Sequence, residues 1–150
     1  HSDAARTHAV GEVSEEAKKL IQVTKECFFE GIKYAKAGNH LFDISGAIGR
    51  YAEERGYGVV RDLCGHGIGT ALHEAPEIPN YEVGRKGVKL RPGMTLAIEP
   101  MINIGTYEVD WLDDDWTVVT RDGSLSAHYE NTILITEGEP RILSLTCDNE

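Results

Sequence analysis

The stretch Cys64-Gly-His66-Gly-Ile-Gly-Thr-Ala-Leu-His73-Glu-Ala-Pro carries two histidines seven residues apart. Three glycines in five residues, Gly65, Gly67 and Gly69, let its backbone turn and approach a neighbour closely. Such a stretch reads as neither regular helix nor uninterrupted strand, so His66 is expected on an irregular backbone and not buried on an apolar stripe. Alone, either histidine would read as a surface or hydrogen-bonded core residue. Two acids downstream change the balance. Glu99 in Leu-Ala-Ile-Glu-Pro-Met and Glu130 in His-Tyr-Glu-Asn-Thr-Ile-Leu each interrupt an apolar, β-branched run. A carboxylate there is costly unless it is paired or bound to a metal. One imidazole with two strand-borne glutamates therefore points to a metal site. Mixed carboxylate and imidazole donors suit divalent Mn, Fe, Co or Zn better than calcium or structural zinc. Two bridging acids and one histidine would fit a two-metal hydrolase, with ions about 3.5–4 Å apart.

Other catalytic patterns fail. His73-Glu74 lacks the second histidine of a zinc-protease helix, because position 77 is Glu77, and Pro76 would break such a helix. There is no nucleophile elbow and no phosphate-binding loop. The run Asp113-Asp114-Asp115 lacks the glycine and terminal glutamate of a calcium-binding EF-hand and reads as a solvated turn.

The elements that must position these residues follow from periodicity. Residues 1–10 read as a strand entered midway, ending at Gly11. Ser14 is a helix N-cap with Glu15 and Glu16 near the positive helix end. Apolar or small residues then recur with helical spacing from Ala17 to Ala35, and Lys36-Ala37-Gly38-Asn39 ends the helix. A second helix is expected from near Asp43, with Ile44, Ala47, Ile48, Tyr51 and Ala52 on one face, to Gly56. Residues 57–64, 94–104, 107–111, 116–120, 129–136 and 141–145 all read as strands. Two helices followed by a mainly antiparallel sheet make an α+β arrangement in a single domain.

The chain has 150 residues, enough to bury roughly 70% of its unfolded surface. Its formal charge of −10, without a basic patch, argues against nucleic acid as a partner. The three cysteines, Cys27, Cys64 and Cys147, lack metal-site spacing and read as reduced thiols of a cytoplasmic protein. No apolar run is long enough for a membrane span.

The sequence closely resembles the C-terminal portion of type I methionine aminopeptidases, which have the pita-bread metallopeptidase fold. The resemblance covers essentially the whole chain. It rests on His-Ser-Asp3-Ala-Ala-Arg-Thr, Cys-Gly-His66-Gly-Ile-Gly, His73-Glu-Ala-Pro, Pro-Gly-Met-Thr-Leu-Ala-Ile-Glu99-Pro-Met, Trp116-Thr-Val and Ser-Ala-His-Tyr-Glu130-Asn-Thr. The spacings match as well: 33 residues from His66 to Glu99 and 31 from Glu99 to Glu130. That short second gap excludes the long insertion of the type II branch.

The resemblance implies two divalent ions held by two aspartates, one histidine and two glutamates. Asp3 matches the second aspartate, expected to bridge the ions. His66 and Glu99 would bind one ion, and Glu130 would bridge. His73 would contact the substrate amide without being a ligand. The ions would polarise the substrate carbonyl and lower the pKa of a bridging water. Glu99 would take that water's proton and pass it to the leaving amine. Trp116 and Leu72 would help wall the methionine pocket. The substrates would be the N-terminal peptides of newly made proteins.

The family's first aspartate falls upstream of Asp3, so the chain is expected to be a fragment lacking the first half. That half would also supply most of the methionine pocket and the strand that pairs beside Asp3, and the fragment alone is expected to be inactive. Two alternatives remain. A prolidase or Xaa-Pro aminopeptidase shares the fold and ligand types, but no arginine immediately precedes Glu130 in His128-Tyr129-Glu130. A non-catalytic pita-bread module that binds peptides would not need to keep His66, His73, Glu99 and Glu130 together.

Overall fold

In the computed structural model, which describes residues 1–145, β1 (Ala4–Arg6) leads by a loop into α1 (Glu15–Ile32) and α2 (Leu41–Glu53). The strands β2 (Gly58–Val59), β3 (Gly65–Gly67), β4 (Glu74–Ile78), β5 (Thr95–Ile98) and β6 (Met101–Asn103) follow. Then come β7 (Val109–Trp111), β8 (Val118–Thr120), β9 (Ser126–Leu134) and β10 (Arg141–Ile142). The expected α+β order, two helices and then a mainly antiparallel sheet, is the observed one. Cys147 lies outside the described residues; Cys27 and Cys64 are free thiols. No helix among the described residues is long and apolar enough to cross a membrane.

The first helix starts where a side chain satisfies a free N–H of the first turn, the second where the Val88 and Lys86 carbonyls accept from the Leu41 and Phe42 N–H groups. The Ser14 hydroxyl accepts from the Ala17 N–H at 3.1 Å. The second helix opens at Leu41, two residues before the expected start, because Asp43 sits in its first turn and accepts from the His40 N–H at 2.8 Å. The first helix stops at Ile32, short of the expected Lys36. The N–H groups of Tyr34 and Ala35 bond three residues back, to Gly31 and Ile32, and close the helix as a turn. Leu20, Val23, Cys27 and Phe28 of α1 and Ile44, Ile48 and Ala52 of α2 pack in one core with Leu96, Ile98, Tyr129 and Ile133 of the sheet. The Phe28 and Tyr129 rings stand 5.3 Å apart.

The sheet is organised on β9. Antiparallel β6 and β5 lie end to end along one edge of it, with β3 and β4 beyond β5 and β2 beyond β6. Along its other edge run β1 and β10. The expected strand 94–104 is interrupted at Glu99-Pro100, where proline has no N–H to give to a ladder. The expected strands 57–64 and 141–145 shrink to Gly58–Val59 and Arg141–Ile142, and the last sheet strand begins at Ser126 instead of 129. The strand β4 was not legible at all: Glu-Ala-Pro-Glu-Ile is polar and mostly exposed except at Ile78.

Two expectations are refined here. Asp3 already has one pairing strand within the chain, β9, along one edge of β1. The Asp3 N–H donates to the Thr132 hydroxyl at 2.9 Å, and the Thr132 N–H donates to the Asp3 carbonyl at 3.1 Å. His66, expected on an irregular backbone and not buried, lies in the middle of β3 and is only 8% exposed. The glycines around it serve close approach. A Cβ at Gly65 would collide with the Ala97 carbonyl, and one at Gly67 with the Ala75 carbonyl. The irregularity expected from the glycines survives as a register shift between His66 and Gly67 against β4.

Candidate metal centre

Strand register alone gathers the candidate residues. Ile98 pairs with Asn131 and Met101 with His128, one unbroken alignment that sets Glu99 opposite Glu130. Ala4 pairs with Asn131, which sets Asp3 opposite Thr132. His66 pairs with Ala97, and Ala97 with Thr132. Cross-strand partners share a sheet face, and residues two apart on one strand share it too. Asp3, His66, Glu99 and Glu130 therefore leave the same face, opposite the one that α1 and α2 cover. Ala97 and Thr132, both buried and small, lie among them and leave the face open for the longer side chains.

The distances bear this out. One ligand atom each from His66, Glu99 and Glu130 all lie within 4.8 Å of one another, and the same holds for Asp3, His66 and His73. The shared member is His66, whose Nε2 is 3.4 Å from Glu99 Oε1 and 3.7 Å from Asp3 Oδ2. Its Nδ1 lies 2.9 Å from the Gly67 carbonyl, which can only accept, so Nδ1 carries the proton. Nε2 is thereby left with a lone pair directed at the acids, as a metal ligand requires. Buried Asn80 donates to the Glu99 carbonyl at 3.1 Å and fixes the main chain where the strand breaks.

Glu130 is the most strained of the acids electrostatically. It is 4% exposed, and its Oε1 has no hydrogen-bond partner. Burial, then the neighbouring charges of Glu99 and Asp3, push its carboxyl up to about 8, against the opposing pull of Arg6. That guanidinium stacks on the Tyr129 ring at 3.9 Å and bonds the Glu130 main-chain carbonyl and, at 2.7 Å, Asn131 Oδ1. Three acids converging on one imidazole, one with an orphaned oxygen, form a site whose charge calls for a cation.

His73 is exposed and packs edge to face on His66, with ring centroids 4.3 Å apart. The two line a cavity of about 580 Å³ with Cys64, Glu74, Ala75 and Glu77. Burial pushes the Cys64 thiol up, helped by the charges of Glu77 and Glu99, so it stays a thiol at neutral pH. Leu72 is 40% exposed beside His73. Trp116 is not brought to the cluster; it stands 86% exposed beyond the turn between β7 and β8. The Asp113-Asp114-Asp115 turn before it is held by Asp114, which accepts from Trp116, Thr117 and the Thr117 hydroxyl.

Comparison with known proteins decides the lineage. The profile of metallopeptidase family M24 matches residues 1–137. The chain belongs to family M24. A curated member, the methionine aminopeptidase of Clostridium acetobutylicum, is 61% identical over 143 residues, covering 95% of this chain and 57% of the relative. The crystal structure of the methionine aminopeptidase of Thermotoga maritima superposes with a TM-score of 0.93 at 50% identity, covering 97% of this chain and 58% of that one. The prolidase of Pyrococcus furiosus superposes with a TM-score of 0.73 at 28% identity over 97% of this chain and 37% of its own. The chain thus spans somewhat more than half the length of the methionine aminopeptidases it matches. Membership of a metallopeptidase family implies divalent metal, and the donor set on the sheet face fits one.

Two residues beside the cluster escaped the sequence reading. His128 stands 3.5 Å from Glu99 Oε2 through its Nε2. Its signal was its place two residues before Glu130, which puts both on one strand face. Arg6, beside Glu130, appeared only as a member of the His-Ser-Asp3-Ala-Ala-Arg-Thr motif, since its partner strand lies more than a hundred residues away.

Proposed function

We propose that this protein removes N-terminal methionine from newly made proteins and peptides by hydrolysis at a dinuclear metal centre, in the cytoplasm. The 150 residues would be the C-terminal portion of its catalytic unit. The observation that carries the reading is the register that puts Glu99 opposite Glu130, beside His66 and Asp3, on the open face of the sheet. Similarity supports methionine over proline specificity: the fit to a methionine aminopeptidase is closer than that to a prolidase, 0.93 against 0.73 in TM-score.

Asp3, His66, Glu99 and Glu130 would hold two divalent ions, Co, Mn, Fe or Zn, which when bound supply Lewis-acid polarisation and a water of lowered pKa. Glu99 accepts the proton of the attacking water and delivers it to the nitrogen of the breaking peptide bond. His73, lying on the exposed side of His66, donates to the carbonyl oxygen as negative charge develops on it, a contact stronger in the transition state than before it. Leu72, next to His73, supplies an apolar wall for the methionine side chain.

The test is hydrolysis of Met-Ala-Ser against Ala-Pro-Ala by the protein at its natural length, with Mn or Co. Release of methionine from the first peptide alone is the expected result. Cleavage of the second would make the enzyme prolidase-like, and cleavage of neither by metal-loaded protein would favour a peptide-binding module.

A further inference from the structure

Glu99 is held between two imidazoles. Its Oε1 faces His66 Nε2 at 3.4 Å, and its Oε2 faces His128 Nε2 at 3.5 Å. The first belongs to the donor set already described. The second has no role there. The main chain of His128 is fixed from both sides of β9: its N–H donates to the Thr7 hydroxyl at 2.8 Å, and Met101 of β6 is its partner on the other edge. Its Nε2 is buried and has no hydrogen-bond partner.

Among the described residues no other group bonds that nitrogen. His128 lines a cavity of about 180 Å³ with Val60, Leu63, Met101, Val109 and Val118. The two hydroxyls in that lining donate elsewhere, Thr120 to the Ser124 carbonyl and Ser126 to the Ile102 carbonyl, and neither bonds Nε2. A buried polar atom that lacks a partner is costly, and Glu99 Oε2 offers Nε2 an acceptor 3.5 Å away. The gap is a few tenths of an ångström longer than a good bond, a distance that a small ring rotation closes.

We propose that His128 is a positioning residue for Glu99: its Nε2–H donates to Glu99 Oε2 and fixes the rotation of the carboxylate. Oε1 is then kept toward His66 and the centre. A carboxylate free to turn could present both oxygens to one ion or neither, whereas one pinned from behind presents a single defined oxygen. Partners of this outer kind typically change metal affinity or activity by about 10–100-fold. What Glu99 does rests on the metal-centre reading above; the hydrogen bond itself does not.

Three measurements test the proposal. Long-range nitrogen–proton NMR of the unmutated, metal-free chain at about pH 8, where an ordinary imidazole is neutral, should show His128 protonated at Nε2. A proton on Nδ1 with bare Nε2 would overturn the idea. In the natural-length protein, His128→Leu should lower kcat for Met-Ala-Ser by about 10–100-fold, with KM within a few-fold and an altered visible spectrum of bound Co. His128→Gln, which keeps an N–H donor, should recover most of the loss, with circular dichroism showing both variants folded. A leucine variant with unchanged kcat, or a glutamine variant no better than leucine, would refute positioning. So would the loss of a whole equivalent of Co in both variants, because His128 would then be a ligand. Failure of the unmutated protein to bind metal would sink the metal-centre reading only, and the tautomer would still decide the hydrogen bond.

Discussion

Glu130→Gln should remove most of the pH dependence of stability of the metal-free chain between weakly acidic and weakly basic conditions. The carboxyl is almost wholly buried, beside Glu99 and Asp3, and its pKa is about 8, against an ordinary value of 4.5. In the unfolded chain it ionises near the ordinary value. Between the two values the folded chain holds a proton that the unfolded chain has lost. The stabilising contribution is therefore full below about 4.5, declines as pH rises, and is gone above about 8. At about 1.4 kcal/mol per pKa unit, the gap amounts to a few kcal/mol. That is a sizeable share of the roughly 5–15 kcal/mol that holds a domain together. The assay is urea unfolding in the presence of a chelator at about pH 5 and about pH 8.5, bracketing the shift. The wild-type chain should lose several kcal/mol between the two, and the amide variant distinctly less. Metal should reverse the order: binding requires the ionised carboxylate, so Mn or Co added near neutral pH should release protons and stabilise only the wild type strongly. Identical pH profiles for the two chains would refute the reasoning, because the buried carboxyl would then not be the group that titrates.

Glu99→Gln is expected to leave the fold intact and lower turnover by about 10²–10⁴-fold, the usual weight of general acid–base catalysis; a steady-state rate within a few-fold of wild type would remove Glu99 from the mechanism. His73→Ala should depress kcat far more than metal affinity, and calorimetric loss of a bound ion would make His73 a ligand, as its nearness to Asp3 and His66 permits. Gly67→Ala should destabilise by more than about 1 kcal/mol, since the added methyl meets the Ala75 carbonyl; a melting temperature at or above wild type would show that β3 and β4 can part without cost. The 150-residue chain alone should bind Co yet not hydrolyse Met-Ala-Ser, because it spans 57% of its methionine aminopeptidase relative; turnover at enzyme-like rates would show that these residues suffice.

Much of the site was legible because its parts are marked locally. An acid inside an apolar run announces itself at Glu99 and Glu130 without knowledge of its neighbours. The residues that fix those acids carry no such mark. Asp3 was picked out by the resemblance and not by its own surroundings, which Thr132 supplies, and His128 reads as one polar residue of an alternating strand until Glu99 is seen in front of its Nε2. The glycines around His66 were ambiguous for the same reason. A glycine that permits a turn and one that lets two carbonyls approach look alike in sequence, and the carbonyls that decide the matter belong to Ala75 and Ala97. Helix ends failed where bonds three residues back replaced bonds four back after Ile32, ahead of the two main-chain bonds that tie Gly38 and Asn39 to Leu90.

The position of β9 also fixes when the centre can come into being. Asp3 is held to Thr132, 129 residues later in the chain. At a synthesis rate of about 5–20 residues per second, the first strand waits on the order of ten seconds for the strand that receives it. During that interval α1 and α2 can form, but His66 and Glu99 have no ladder to align them with Glu130, and the sheet face does not exist. Ion capture is consequently a late event in the life of a nascent molecule. Stalled chains that end before Ser126 should leave β1 open to protease, whereas chains carried past Leu134 and clear of the ribosome should protect it.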